Sequence, residues 1–275
     1  YLLKIRENSC SANEYFVMDK EELKRMAENP RFISGIHNYC DRWCEKCPFT
    51  SRCMNYALCD EQFGDPEAND INNKKFWDRL SEIFKLTLEM VKEDAAKMGV
   101  DIDSIDFEQE EREEKRNREI RENNKCVQTA KAYYKMTDKW FVSNNSLFEE
   151  KADDIRAKVE MALPGVDPEA EFLELKDAVE VIRWYEHQIY VKLKRAVSGT
   201  LRNTVDEDIS DANGSAKVAL LGIDNSIAAW GILRNHLEDQ RDLVLDILLH
   251  LSRLRKETER TFPGDRAFIR PGFDK

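Results

Sequence analysis

The residues best suited to chemistry lie close together. The run HNYCDRWCEKCPFTSRC carries Cys40, Cys44, Cys47 and Cys53 at spacings C-x3-C, C-x2-C and C-x5-C, with Cys59 shortly after. Thiolates are soft ligands that suit zinc, copper(I) and iron–sulfur clusters. Steps of four and three put Cys40, Cys44 and Cys47 on one face of a helix. A continuous helix would still separate the first from the third by roughly 10 Å along its axis. That exceeds what one zinc ion can span with Zn–S bonds of about 2.3 Å. The helix must break, or the ligands must surround something larger, and Pro48 directly after Cys47 favours a break. Structural zinc prefers two well-separated C-x2-C pairs. The tighter run here, with an aromatic residue and a proline inside it, is better suited to a four-cysteine iron–sulfur cluster. Zn²⁺ is the alternative cofactor. His37, three residues before Cys40, and Cys59 are alternative ligands.

A second set of polar residues falls on helical faces expected to point inward. Glu186 sits between Ile182 and Ile189, with Glu180, Arg183 and His187 on the adjacent face, and Asp224 interrupts ALLGIDNSIAAW. Asp246 and His250 stand four apart in the last helical stretch. A di-iron bundle would use Glu-x-x-His on two helices, and the chain contains no such motif. The reading is therefore a buried ion-pair network, for instance Glu186 or Asp224 with Arg183, with a ligand pocket as the alternative. Trp184, Tyr185 and Trp230 read as core aromatics. No Gly-rich phosphate loop, nucleophile elbow or Ser/His/Asp arrangement marks the chain as an enzyme.

These residues need a scaffold, and composition says which kind. Among 275 residues, 41% are apolar and 35% charged, with ten glycines and seven prolines. So little turn-forming material favours a few long helices over many short strands. The net charge of −11, from 43 basic and 54 acidic residues, disfavours nucleic acid and anionic membranes. No apolar stretch approaches the length of a membrane span, so no membrane is expected as a partner. Seven cysteines, five of them between positions 40 and 59, read as metal binding in a reducing compartment, hence a cytoplasmic location. The chain starts at Tyr1, which leaves a removed targeting signal open.

Along the chain, Asp19 is a plausible cap for a short helix over EELKRMAE that Pro30 stops. A helix over about 72–98 carries Phe76, Leu80, Ile83, Phe84, Thr87 and Val91 on one face and stops at Gly99. Residues 101–124 are almost devoid of apolar side chains and read as a solvated helix or linker. Apolar content returns and continues to about Leu163, before Pro164-Gly165. The longest helix starts at Asp167-Pro168 and runs to about Ser198 on Phe172, Leu175, Val179, Ile182, Ile189, Leu193 and Ala196. Two more follow: one over about 211–238 on Ala216, Leu220, Ile223, Ile227 and Trp230, the other over about 239–261 on Leu243, Ile247, His250 and Leu254. An extended tail, RAFIRPGFDK, ends the chain. The expected fold is all-α: an antiparallel helical bundle over 71–262, preceded by an N-terminal cysteine-rich metal-binding module over 1–70 and followed by a tail over 263–275.

The segment CEKCPFTSRC resembles the iron–sulfur staple of Cas4-type and AddB-type nucleases, and the auxiliary-cluster domains of some radical enzymes, over about ten residues. The nuclease core set D…E-x-K is not recognisable. C-x3-C-x2-C also resembles the cluster motif of radical S-adenosylmethionine enzymes, but those require alternating strands and helices that this sequence lacks. Across the chain, CDRWCEKCPFTSRC, VIRWYEHQIYVKLKRAVSG, IDNSIAAWGIL and RAFIRPGFD resemble an uncharacterised family of bacterial proteins. That resemblance implies no activity, substrate or partner. Two functions follow from the residues themselves: an iron–sulfur protein with a redox or regulatory role, or a zinc-stabilised acidic module that binds a protein partner without catalysis.

Overall fold

Helices begin where the sequence supplies a side chain to accept their unpaired N–H groups. In the computed structural model, which describes residues 20–63, 70–104, 106–161, 165, 167–201 and 206–274, Asn73 accepts from the Lys75 N–H at 3.0 Å and opens a helix over Lys74–Lys97. That helix closes as a Schellman motif, with Gly99 at φ 71°, its N–H on Ala96 O and the Val100 N–H on Ala95 O. Asn124 caps Lys125–Ser143 through the Cys126 N–H at 2.9 Å. Asp167 accepts from the Ala170 N–H at 3.0 Å ahead of Pro168.

In chain order the helices are α1 (Lys20–Glu28), α2 (Met54–Phe63), α3 (Lys74–Lys97), α4 (Phe107–Asn123), α5 (Lys125–Ser143), α6 (Asn145–Met161), α7 (Pro168–Leu201), α8 (Asp206–His236) and α9 (Arg241–Thr261). No strand occurs among the described residues, so the protein is all-α. The chain divides into two compact units. One takes the described residues up to His37 and Cys44–Asp106; the other takes Asn38–Trp43 and everything from Phe107 on. The proposed cap Asp19, Pro164 and Cys10 lie outside the described residues.

In the second unit the core is built by α5, α7, α8 and α9. The α7–α8 pair is the most extensive contact, and small residues permit it. A methyl on Gly199 would sit 3.1 Å from Ala212 Cβ, and one on Gly222 would sit 2.8 Å from the Tyr185 ring. Trp230, Tyr133, Ile182, Leu193, Ile223 and Leu254 are fully buried. Helix α4 contributes no buried residue and is held to α7 by polar contacts, Lys194 with Glu122 and Arg121 with Ser198.

Several faces differ from the periodicity. The stretch after 124 forms two helices, because Asn144 leaves the helical region and its amide donates to Trp140 O at 2.7 Å. On α9 the core runs through Val244, Ile247, Leu251 and Leu254, with Leu243 55% exposed. Leu243 and Val244 both lie a helical step from Ile247, so spacing alone does not choose between them. Phe172 is exposed on α7, and on α3 only Ala95 is buried. Trp77, Phe84, Leu88 and Val91 therefore form an exposed apolar stripe. The tail is folded rather than extended. It turns at 263–267 and 271–273, and Lys217 binds Phe268 O at 2.6 Å and Asp274 at 3.1 Å. By length and composition, Asp211–His236 is apolar enough to cross a membrane. It is also a core helix, which passes the same test because its apolar residues face other helices.

Candidate functional site

The cysteine run is not α-helical. Cys44–Lys46 and Thr50–Arg52 are 3-10 turns, and Cys53 is extended at φ −106°, ψ 110°. The Cys47 N–H bonds Cys44 O at 3.2 Å, and the Phe49 N–H points at Cys47 Sγ at 3.4 Å. The Cys53 carbonyl accepts from the Ala57 N–H at 3.1 Å and so starts α2. Residues Ile33 and Arg31 tie the run down: the Ile33 N–H bonds Arg52 O, and Arg31 Nε bonds Ser51 O, both at 3.0 Å. Cys40, Cys44, Cys47 and Cys53 are half-buried. Cys59, on α2, is exposed, and His37 lies in the turn Ile36–Tyr39. Among the described residues, no three His, Cys, Asp or Glu side chains form a group that could hold a metal ion.

Cys40 belongs to a short strap, Asn38–Trp43, that docks on α7 and α8 within the second unit. At one end Arg195 donates to Asn38 O at 3.4 Å and to Asp211 at 2.6 Å, and Tyr39 OH donates to the same carboxylate at 3.0 Å. The Tyr39 ring packs edge-on against Phe268, and both press on Gly214. At the other end Trp184 Nε1 donates to Asp41 O at 3.1 Å, Tyr185 OH donates to Asp41 Oδ2 at 2.6 Å, and Trp43 stacks on Trp184. Burial and the Asp41 carboxylate push the Tyr185 phenol far above its ordinary range. Arg42 takes a left-handed φ of 63°, stabilised by the Trp43 N–H on Asp41 Oδ1 at 3.2 Å.

Lys192 lies on α7 between these anchors, 6% exposed. Burial pulls its ammonium below the ordinary lysine range, Cys40 and Asp41 work in the opposite direction, and Arg195 and Arg42 add to the lowering.

The inward polar residues fall into separate places. Arg183 pairs with Glu186 at 3.3 Å while its guanidinium lies 3.9 Å over the Phe141 ring. Burial raises the Glu186 carboxyl above the usual carboxylate range, Arg183 opposes this, and Asp138 adds to it. Asp224 is not with Arg183. It pairs with Arg266 at 2.8 Å and Arg255 at 3.4 Å, with its side chain one-third exposed. His187 packs against Tyr134 and Tyr190, His250 Nε2 donates to Thr129 O at 2.8 Å, and Asp246 is exposed. Glu180 borders an open apolar groove of about 330 Å³ between α6 and α7, lined by Phe148, Ile155, Leu175 and Val179. Deeper, Trp230 Nε1 donates to Tyr133 OH at 3.1 Å, both fully buried. Thr137 and Ser226 crowd the same phenol without a well-aligned bond of their own.

The strap anchors Tyr39, Asp41 and Trp43 and the buried Lys192 have no place in the sequence reading. Lys192 did carry a signal: it stands three after Ile189 and directly before Leu193, a lysine inside the apolar stripe. Comparison with protein-family models, curated proteins and solved structures finds no match to this chain.

Proposed function

We propose that the chain holds an iron–sulfur cluster on Cys40, Cys44, Cys47 and Cys53 and serves a redox or regulatory role, and that the helices of the second unit form an antiparallel bundle. One observation carries the reading. All four cysteines are half-buried, and the run is broken into short turns: Cys44 opens one 3-10 turn, Cys47 follows it directly, and Cys53 is extended after a second turn. Such backbone lets neighbouring thiolates converge where a continuous α-helix would spread them. The Phe49 N–H contact orients the Cys47 sulfur, and Cys40 precedes Cys44 by one C-x3-C step along the chain. The bound group would supply one-electron chemistry or a metal-dependent change in fold, and the protein's own part is to fix the thiolates and exclude water.

The test is elemental analysis and spectroscopy of the full chain purified without oxygen. Expected are a brown protein, broad charge-transfer absorption and about four irons per chain. A colourless preparation with stoichiometric zinc would replace this reading with a zinc-stabilised interaction module. The exposed stripe Trp77, Phe84, Leu88 and Val91 on α3 favours that second reading. In that case chelation should unfold the cysteine-bearing unit, because metal binding energy at such sites is folding energy.

A further inference from the structure

Helix α3 carries more apolar surface than the described residues cover. Leu80, Ile83 and Met90 are half-buried, whereas Trp77, Phe84, Leu88 and Val91 are 57%, 66%, 54% and 52% exposed. Trp77 is nonetheless fixed in place, its Nε1 donating to Ile71 O at 2.7 Å and its ring edge-on to Phe76. The α1 helix meets α3 through Lys20 and Glu93. At about 3.6 residues per turn, Glu93 lies on the side of the helix opposite the stripe.

The spacing of the stripe identifies the shape of its partner. Positions 77, 81, 84, 88 and 91 follow one another by four, three, four and three, the repeat by which one helix packs along another. Trp77, Phe84 and Val91 hold one seam position, Ser81 and Leu88 the other. The seam runs roughly 21 Å from Trp77 to Val91. A lining that narrow fits a single helix rather than a bilayer. Residues 74–97 also hold six basic and five acidic side chains, so they lack the positive excess of a membrane-surface helix.

The charges beside the seam identify which helix. Asp78, Lys85 and Lys92 each directly follow a residue of the first seam position and share one flank. In an antiparallel pair of identical helices that flank faces its own copy, and flanking charges set orientation. With Phe84 set against Leu88 of a second copy, Asp78 comes opposite that copy's Lys92, and the two-fold axis repeats the ion pair. Val91 then meets the small Ser81, and Trp77 reaches the helix end beside Ala95. Lys85 falls near the axis, where its long stem carries the ammonium out into solvent. Within its own helix Asp78 is held only loosely, by Lys74 at 3.9 Å. A parallel pair would bring Leu80 and Thr87 to the two lysines and put Asp78 beside Asn73, with no attraction gained.

We propose that α3 is a self-association surface: two copies of the chain pair antiparallel through Trp77, Phe84, Leu88 and Val91, with Asp78 of each against Lys92 of the other. The pairing does not depend on which metal the cysteines hold. A seam this short is at the small end of specific interfaces, so the dimer is weak and forms with rising concentration.

Sedimentation equilibrium of the full chain over about 1–200 µM reads the association. Reducing buffer prevents cysteine cross-links from mimicking it. The parent should pass from monomer to dimer within that range. F84E should stay monomeric and keep the parent melting curve at the lowest concentration, since Phe84 is exposed in the monomer. D78K and K92D should each weaken the dimer about tenfold, because two attractions become two repulsions. The double variant D78K/K92D exchanges the charges and should return to within about threefold of the parent. A parent that stays monomeric throughout would overturn the inference. A dimer that survives F84E would place the interface on another face, and a charge exchange without recovery would refute the antiparallel register; either result sinks the proposal. Flotation with vesicles of phosphatidylcholine and phosphatidylglycerol tests the other occupant. A monomeric parent that floats while F84E does not would assign the stripe to a membrane instead.

Discussion

Replacing Glu186 by Gln tests whether burial or pairing controls the carboxylate inside the second unit. The Glu186 side chain is 12% exposed and that of Arg183 is 42% exposed. Their contacts, at 3.3 and 3.5 Å, are long for a charge-assisted bond. Solvent around Arg183 screens the attraction, so the pair contributes about 0.5–1 kcal/mol. Burial works against it and is the larger effect, because the carboxyl is held above its ordinary range. The sign follows from proton uptake. With a raised carboxyl the folded protein binds more protons than the unfolded chain between the ordinary glutamate value and the raised one. Stability is therefore fully present below that window, falls as pH rises through it, and stays reduced at pH 7. Glu186→Gln keeps the volume and abolishes the charge. It should be neutral to stabilising at pH 7 by up to about 1 kcal/mol, which for a domain of this size raises Tm by at most about 4 °C. At pH 4 the gain should shrink. Calorimetric melts at both pH values read the difference. A Tm several degrees below the parent at pH 7 would show that the Arg183 pair dominates and would refute the argument.

Gly214→Ala should loosen the strap, because the added methyl meets Tyr39 and Phe268 ring atoms within 2.7 Å. A cost of about 1–3 kcal/mol is expected despite alanine's better helix propensity, read by thermal melts and by altered emission from the stacked Trp43–Trp184 pair. Asp274 is held well below the usual carboxylate range, first by Arg270 and then by Lys217. Its contribution is present above the unfolded carboxyl value and is lost as pH falls. Asp274→Asn should therefore cost about 1–2 kcal/mol at pH 7 and flatten the acid limb of the stability curve, measured by urea titrations from pH 7 to pH 3.

Local signals were readable where their cause is local. Asp167-Pro168 and Gly99 mark helix ends because capping depends on residues a few positions apart. The irregular backbone around Pro48 follows from the same short-range rule. The stripe on α7 is legible for Ile182, Ile189, Leu193 and Ala196, all buried. What escaped depends on partners far along the chain. Whether Leu243 or Val244 faces the core is decided by packing, not by spacing. Phe84 and Val91 on α3 satisfy an amphipathic pattern yet are exposed, since a pattern says which residues share a face and not whether anything covers it. Asp224 and Arg183 both sit on inward-reading helices, but Asp224 finds Arg266 from the folded tail. The strap is the extreme case. No periodicity in Asn38–Trp43 announces a dock on α7.

The strap also fixes an order of events during synthesis. Its bonds join residues 143 to 172 positions apart. A ribosome adding about 5–20 residues per second needs roughly 10–40 s to deliver α7 and α8 after Tyr39 has emerged. Throughout that interval the segment bearing Cys40 has nothing to dock against, whereas Cys44, Cys47 and Cys53 have their own local turns available. Closing so long a loop comes late and slowly compared with forming the helices themselves. The nascent chain thus passes through a stage in which the Cys40 thiol is accessible to chaperones, metal donors and oxidants alike, and that stage ends when Tyr185 and Arg195 capture the strap.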